Sequence, residues 1–153
     1  MGTRFLATRE APVHDNVKQA IVAASELDTR LIMRPLRNTE RVLANSSVVR
    51  VLEIERDRGA DIEFGDIATE VAGVYRKVMV DGEVDDGAFS CGMVAGLILD
   101  TPSCQDLLDR IMAEAEAIIE DRLMSLSRLL TIEPSDESMP GVRGSTWWQR
   151  HGR

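Results

Sequence analysis

Aromatic side chains are scarce in this chain: three Phe, two Trp and one Tyr in 153 residues. Any core must therefore be assembled from Leu, Ile, Val, Met and Ala. Histidine occurs only at His14 and His151, and cysteine only at Cys91 and Cys104. Without ligand-like spacing, these four residues disfavour a structural zinc site. Two thiols in such a composition are expected to be buried and reduced rather than bridged. No apolar run approaches the ~18 residues that cross a bilayer, and the chain does not open on a basic-then-apolar leader. No membrane association is expected, and the cytoplasm is the expected compartment. Positive charge is in deficit, with 18 Lys and Arg against 26 Asp and Glu, for a formal net charge of −8. Such a surface repels phosphate backbones, so nucleic acid is not an expected partner.

What is present is concentrated at the start. Met1-Gly2-Thr3-Arg4-Phe5-Leu6-Ala7-Thr8-Arg9-Glu10 opens with a residue that lets a ligand approach the backbone. Thr3 adds a hydroxyl. If a helix follows, its first N–H groups lack partners, and together these groups form a small anion cradle. On local chemistry alone, Gly-Thr reads first as a plain turn.

Apolar residues at 13, 17, 20, 21 and 24 predict a helix over residues 13–25 with Pro12 in its first turn. His14 falls one place off that face and reads as a solvated first-turn residue. Thr29 to Arg37 reads as a short strand closed by Pro35. Arg30, Arg34, Arg37 and Arg41 crowd together; they either pair with nearby carboxylates or form an anion-facing patch. Asn45-Ser46 caps a helix over residues 47–57, with Val48, Val51, Leu52 and Ile54 as its apolar side and Gly59 as its stop. Residues 66–80 resume a helical pattern weakened by Gly73. Residues 81–87 read as an acidic, flexible turn. Phe89 to Leu99 is expected to be helical, with Gly92 and Gly96 sharing a face. Ser103 and Asp106 approximate a capping box at the start of the longest helix. Its stripe, Leu108, Ile111, Met112, Ala115, Ile118, Ile119, Leu123, Leu126 and Leu130, needs a facing surface from other helices or another chain. Past Pro134 the composition suggests a disordered tail, in which Trp147 and Trp148 could anchor on an apolar patch.

The opening decapeptide resembles the end of the eighth barrel strand in nitronate monooxygenases, once called 2-nitropropane dioxygenases. A second block, Gly82 to Ile98, resembles the family's Gly-x-x-Asp-x-Gly-x-x-Ser-x-Gly-x-x-x-Gly-Leu-Ile pattern. A third, Asp109 to Glu116, resembles its closing helix, and the likeness runs to about residue 123.

The resemblance implies a mainly α chain with a short β segment: the C-terminal part of an FMN-binding (β/α)8 barrel plus the family's smaller helical domain. A complete barrel needs about 200 residues or more, so the full barrel is not expected within 153. The implied division is residues 1–24 for the end of strand 8 and the phosphate-site helix, 25–88 for an inserted second domain, 89–130 for the return to the barrel, and 131–153 for the tail. Gly2 and Thr3 would hold the FMN phosphate, with Ser90 and Gly92 near the flavin. Met93 stands where the family often has glutamine, and a thioether cannot make that amide's hydrogen bonds. No residue matches the family's catalytic histidine.

The implied reaction is oxidation of a nitronate by FMN and O2. The resemblance further implies that the chain alone is inactive and purifies without yellow colour. A homo-oligomer or a missing N-terminal barrel portion is the implied partner. Two alternatives remain open: a flavin enoyl-acyl-carrier-protein reductase on the same barrel, and a non-enzymatic helical interaction domain.

Overall fold

The structure, a computed structural model, describes residues 1–130, with side chains described to residue 127. The expected tail, Trp147, Trp148 and the side chain of Leu130 lie outside the described residues. Two compact units divide the chain, Met1–Arg110 and Ile111–Arg153. The described part is mainly helical, with one two-stranded sheet. No helix among the described residues is long and apolar enough to cross a membrane.

In the first unit a short helix, α1 (Gly2–Leu6), leads to α2 (Asp15–Ala23). Pro12 and Val13 precede α2 rather than entering it. His14 is its N-cap, and the ring Nδ1 accepts from the Asn16 N–H at 3.1 Å. His14 is exposed, as expected, but stands as the cap one place before the first turn, where a ring nitrogen satisfies one of the donors left over at the helix start. The α2 face is as read, with Val17 and Ile21 fully buried and Val13, Ala20 and Ala24 packed against them. Lys18 is also buried, its ammonium donating to the Arg9 carbonyl at 3.1 Å and pairing with Asp15 at 3.3 Å.

Strand β1 (Thr29–Ile32) ends earlier than expected, because Met33 and Arg37 take positive φ of 57° and 55°. That turn reverses the chain into β2 (Glu40–Leu43), an antiparallel partner that periodicity did not reveal. None of the four clustered arginines joins an ion pair among the described residues. Arg30 donates to the carbonyls of Leu27 and Thr29, and Arg41 to the Thr29 hydroxyl.

Helix α3 (Ser46–Arg58) and its ends are as read, with Asn45 as cap and Gly59 as stop. Asn45 works at both ends of its amide. Its oxygen accepts from the Val48 N–H at 2.9 Å, and its nitrogen donates to the carbonyls of Val84 and Gly87 at 2.7 and 2.9 Å. Asp85 likewise receives the N–H and hydroxyl of Ser46. Residues 81–87 are thus pinned to the start of α3, against the expectation of a loose turn.

The helix expected over residues 66–80 is broken in two. Helix α4 (Phe64–Val71) starts earlier, under a capping box of Glu63 and Asp66, and Gly73 at φ 78° interrupts it. A wide π-type turn, Tyr75–Val80, follows.

The expected helix from Phe89 to Leu99 is corrected as well. Ser90 bridges Val42 as an extra extended residue beside β2, Gly92 is extended, and only Met93–Leu97 forms a tight 3-10 turn. Gly92 and Gly96 therefore share no helix face. Gly96 does allow a close approach: a Cβ there would come within 2.6 Å of the Glu26 backbone nitrogen.

Neighbouring residues of β2 face opposite ways, as strands require. Leu43 joins the core of Ala7, Val17, Ile21, Phe89, Cys91 and Ile98. Val42 joins that of Ile32, Val48, Val51, Ile62 and Ile67. One strand thus faces two cores, one built from residues 7–21 and 78–98 with Leu43 itself and the other from residues 32–88.

Helix α5 (Cys104–Ala117) starts under the expected box: the Asp106 N–H donates to Ser103 Oγ at 3.0 Å, and the Ser103 N–H donates back to Asp106 Oδ2 at 3.4 Å. The second unit holds the rest of α5, a wide turn (Ile118–Leu123) and α6 (Met124–Leu130). Its stripe residues Met112, Ile118, Ile119, Leu123 and Leu126 are each half exposed or more, so no described surface covers them.

Candidate functional site

The N–H groups of Gly2 and Thr3 stand at the start of α1, and among the described residues none accepts from them. Gly2 is exposed, with open space where a Cβ would be. Thr3 Oγ1 accepts a hydrogen bond from the Gly92 N–H at 3.0 Å, across 89 positions. That bond uses an oxygen lone pair and leaves the hydroxyl hydrogen free to donate. Two amide hydrogens and one hydroxyl hydrogen therefore belong to one small patch, and this donor set suits a phosphate.

The patch is held rigidly. The Arg4 guanidinium, largely buried, donates to the carbonyl and carboxylate of Asp100 at 2.9 and 2.8 Å. Arg110 pairs with the same carboxylate at 2.9 Å. The Arg9 N–H donates to the Pro102 carbonyl at 2.9 Å, and the Cys104 N–H donates to Glu10 at 2.9 Å. That last bond holds the Glu10 carboxyl below its usual range, because an accepted hydrogen bond favours the charged form.

Ser90 lies two residues from Gly92 but serves a different place. Its hydroxyl donates to the Glu40 carboxylate, and both line an open cleft of about 320 Å3. Of the four residues singled out from sequence, the structure thus joins Thr3 to Gly92 directly, leaves Gly2 open beside Thr3, and puts Ser90 in an adjoining cleft. Glu40 was missed. Only the pairing of β2 with Ser90 brings it near, and no local pattern carries that information.

Both cysteines are free. Cys91 is buried, and burial pushes its thiol up; Cys104 is only half-buried, beside Thr8, contrary to the expectation that both would be buried. Among the described residues no group of three or more His, Cys, Asp or Glu is arranged to hold a metal ion.

The family model for nitronate monooxygenase matches residues 1–114. The chain belongs to that family. It is 27% identical over 150 residues to the (3aS,4S,5R,7aS)-5-hydroxy-7a-methyl-1-oxo-octahydro-1H-indene-4-carboxyl-CoA dehydrogenase of Rhodococcus jostii, covering 75% of this chain and 42% of that protein. The Mycobacterium tuberculosis dehydrogenase of the same name is 26% identical, with the same coverage. Among solved structures it resembles FabK from Thermotoga maritima, at 30% identity and a TM-score of 0.70, over 78% of this chain and 37% of that one. A point variant of that protein gives 28% identity and a TM-score of 0.62, covering 78% of this chain and 34% of that one. The chain thus spans less than half the length of each of these relatives. Their names, like the family's, are those of oxidoreductases where they state an activity.

Proposed function

We propose that this chain supplies part of the flavin site of an FMN-dependent oxidoreductase, with a nitronate as the electron donor. The Thr3–Gly92 hydrogen bond carries the reading, because it joins the two family-like blocks into one donor patch. Bound there, FMN would supply two-electron oxidation and reaction with O2, chemistry that no side chain provides. The protein's part is to place it. Gly2 and Thr3 would donate to the phosphate through backbone N–H groups, and the Thr3 hydroxyl would add a third donor. Gly92 fixes the rotamer of Thr3 and thereby the direction of that third donor. The cluster built wholly from residues 32–88 supports 25–88 as an inserted domain on a (β/α)8 frame, although Leu43 and Val78 pack in the other core.

The binding claim is tested by adding FMN, and separately riboflavin, to the isotopically labelled chain. FMN is expected to shift the amide resonances of Gly2, Thr3 and Gly92, and riboflavin, which has no phosphate, is expected to leave them in place. Equal shifts from both, or none from FMN, would sink it.

A second reading is favoured by the names of the relatives in Rhodococcus and Mycobacterium, which are dehydrogenases of a CoA thioester. On that reading the substrate is an acyl thioester, which a dehydrogenase oxidises as the electron donor; in the enoyl-acyl-carrier-protein reductase alternative the thioester is instead reduced and a nicotinamide is the donor. Oxygen uptake with alkyl nitronates against nicotinamide oxidation with enoyl thioesters separates the two.

A further inference from the structure

The cleft beside the donor patch has a polar corner of unusual composition. Backbone pairing sets it up. The Leu43 N–H donates to the Phe89 carbonyl at 3.2 Å and the Cys91 N–H to the Arg41 carbonyl at 3.0 Å, which fixes Ser90 opposite Val42. Glu40 lies two residues from Val42, hence on the same side of β2 and diagonal to Ser90. The Ser90 hydroxyl spends its hydrogen on the Glu40 carboxylate. What Ser90 then shows to the cleft is oxygen lone pairs, and an ionised carboxylate is acceptor only. At Glu40 and Ser90 the corner therefore presents acceptors, while the Tyr75 hydroxyl elsewhere on the cleft wall can donate. Glu40 joins none of the ion pairs among the described residues, so its charge is uncompensated by a neighbouring cation. The remaining walls include Leu6, Val71, Val74 and Met79. A volume of about 320 Å3 lies at the small end of ordinary ligand pockets.

We propose that this cleft binds an amphiphile with a short aliphatic tail and a hydrogen-bond-donating head, a primary ammonium best of all, and that Glu40 sets that preference. The tail lies along the valine and methionine wall. The head donates to Glu40 and Ser90. A carboxylate or other anionic head in that corner meets the like charge of Glu40 and is disfavoured. The site stands on the cleft's own geometry and needs no flavin.

The test titrates the labelled chain with n-octylamine, 1-octanol and sodium octanoate at pH 7, read from the amide signals of Glu40 and Ser90 and the ring signals of Tyr75 at the cleft rim. Octylamine is expected to bind about tenfold tighter than octanoate, the scale of one partly buried charge interaction, with octanol between them. Glu40→Gln keeps an acceptor for Ser90 but removes the charge, and is expected to bring the amine and octanoate within roughly threefold while octanol binding holds. Ser90→Ala weakens the amine and the alcohol, which donate to it, and leaves octanoate binding unchanged. Octanoate binding as tightly as the amine, an unchanged ratio in Glu40→Gln, or no response at these residues to any of the three probes overturns the proposal. No flavin is present in this titration, so its failure leaves the flavin reading standing, and the reverse also holds.

Discussion

Thr3 Oγ1 and the Gly92 N–H meet at 3.0 Å although 89 positions separate them. This contact links the start of α1 to the segment beside β2 and decides which way the Thr3 hydroxyl points. Thr3→Val keeps the shape and removes the acceptor, stranding the Gly92 amide. A partly buried donor left without a partner costs about 1 kcal/mol. Urea unfolding is expected to show that loss for Thr3→Val and little for Thr3→Ser. Phosphate-dependent FMN shifts should fade in the valine variant and survive in the serine one. A valine variant as stable as the parent would show that the bond contributes nothing to the fold.

Gly82 makes a different demand. It sits at φ 76°, and a Cβ there would lie 2.2 Å from Nδ1 of His14. His14 cannot swing away without giving up its cap on Asn16. Gly59 also has positive φ, 57°, but open space around it. Gly59→Ala is therefore expected to cost about 1 kcal/mol from backbone strain alone. Gly82→Ala is expected to cost about 2 kcal/mol or more, because loss of a helix cap adds to the strain. Equal losses in a denaturant comparison would mean the ring finds another place without penalty.

The features legible in the sequence are those whose partners lie within a few residues. Asn45 and Val48, Gly59 after α3, and Ser103 with Asp106 all stand where spacing placed them. The stripe of α2 was readable for the same reason. Strand β2 was not, because Glu40-Arg41-Val42-Leu43 lacks alternation, and its identity comes from β1 and residues 89–91. Phe89 to Leu99 misled in the opposite way: its small and apolar residues suit a helix, but pairing with β2 claims the first three. The patch of Gly2, Thr3 and Gly92 was legible only through the family-like blocks. Glu40, whose position depends on tertiary pairing alone, was not legible at all.

Acid should weaken the fold through a small set of hydrogen-bonded and paired carboxylates. Hydrogen bonds from Ser103 hold Asp106 below its usual range, those from Ser25 do so for Asp28, and the Cys104 N–H does so for Glu10. Arg50 beside Glu70 lowers that group in the same direction. A depressed carboxyl contributes stability that is complete above its unfolded value and is lost as pH falls through the folded one. Glu83 runs the other way. A hydrogen bond with Asp86, and the charge of Asp86, raise it, so its contribution is present at low pH and lost as pH rises through its folded value. Denaturant midpoints from pH 7 down to pH 3 should therefore fall. Asp106→Asn should flatten the fall, and Glu83→Gln should raise stability at pH 7. An unchanged slope in Asp106→Asn would remove that carboxylate from the acid response.

The second unit carries its apolar side chains in the open. Ile118, Ile119, Leu123 and Leu126 are 50%, 56%, 55% and 54% exposed, on a segment whose polar face is equally in water. Exposed apolar surface of this extent binds hydrophobic dyes and promotes association. Ile119→Glu combined with Leu123→Glu should cut dye fluorescence severalfold and shift light scattering toward a smaller species. Both residues lie outside the first unit, so its unfolding free energy in urea should change by less than about 0.5 kcal/mol, as surface changes do. A doubly substituted chain that binds dye as strongly as the parent would place the sticky surface elsewhere. A first unit that unfolds earlier would show that these leucine and isoleucine side chains stabilise it directly.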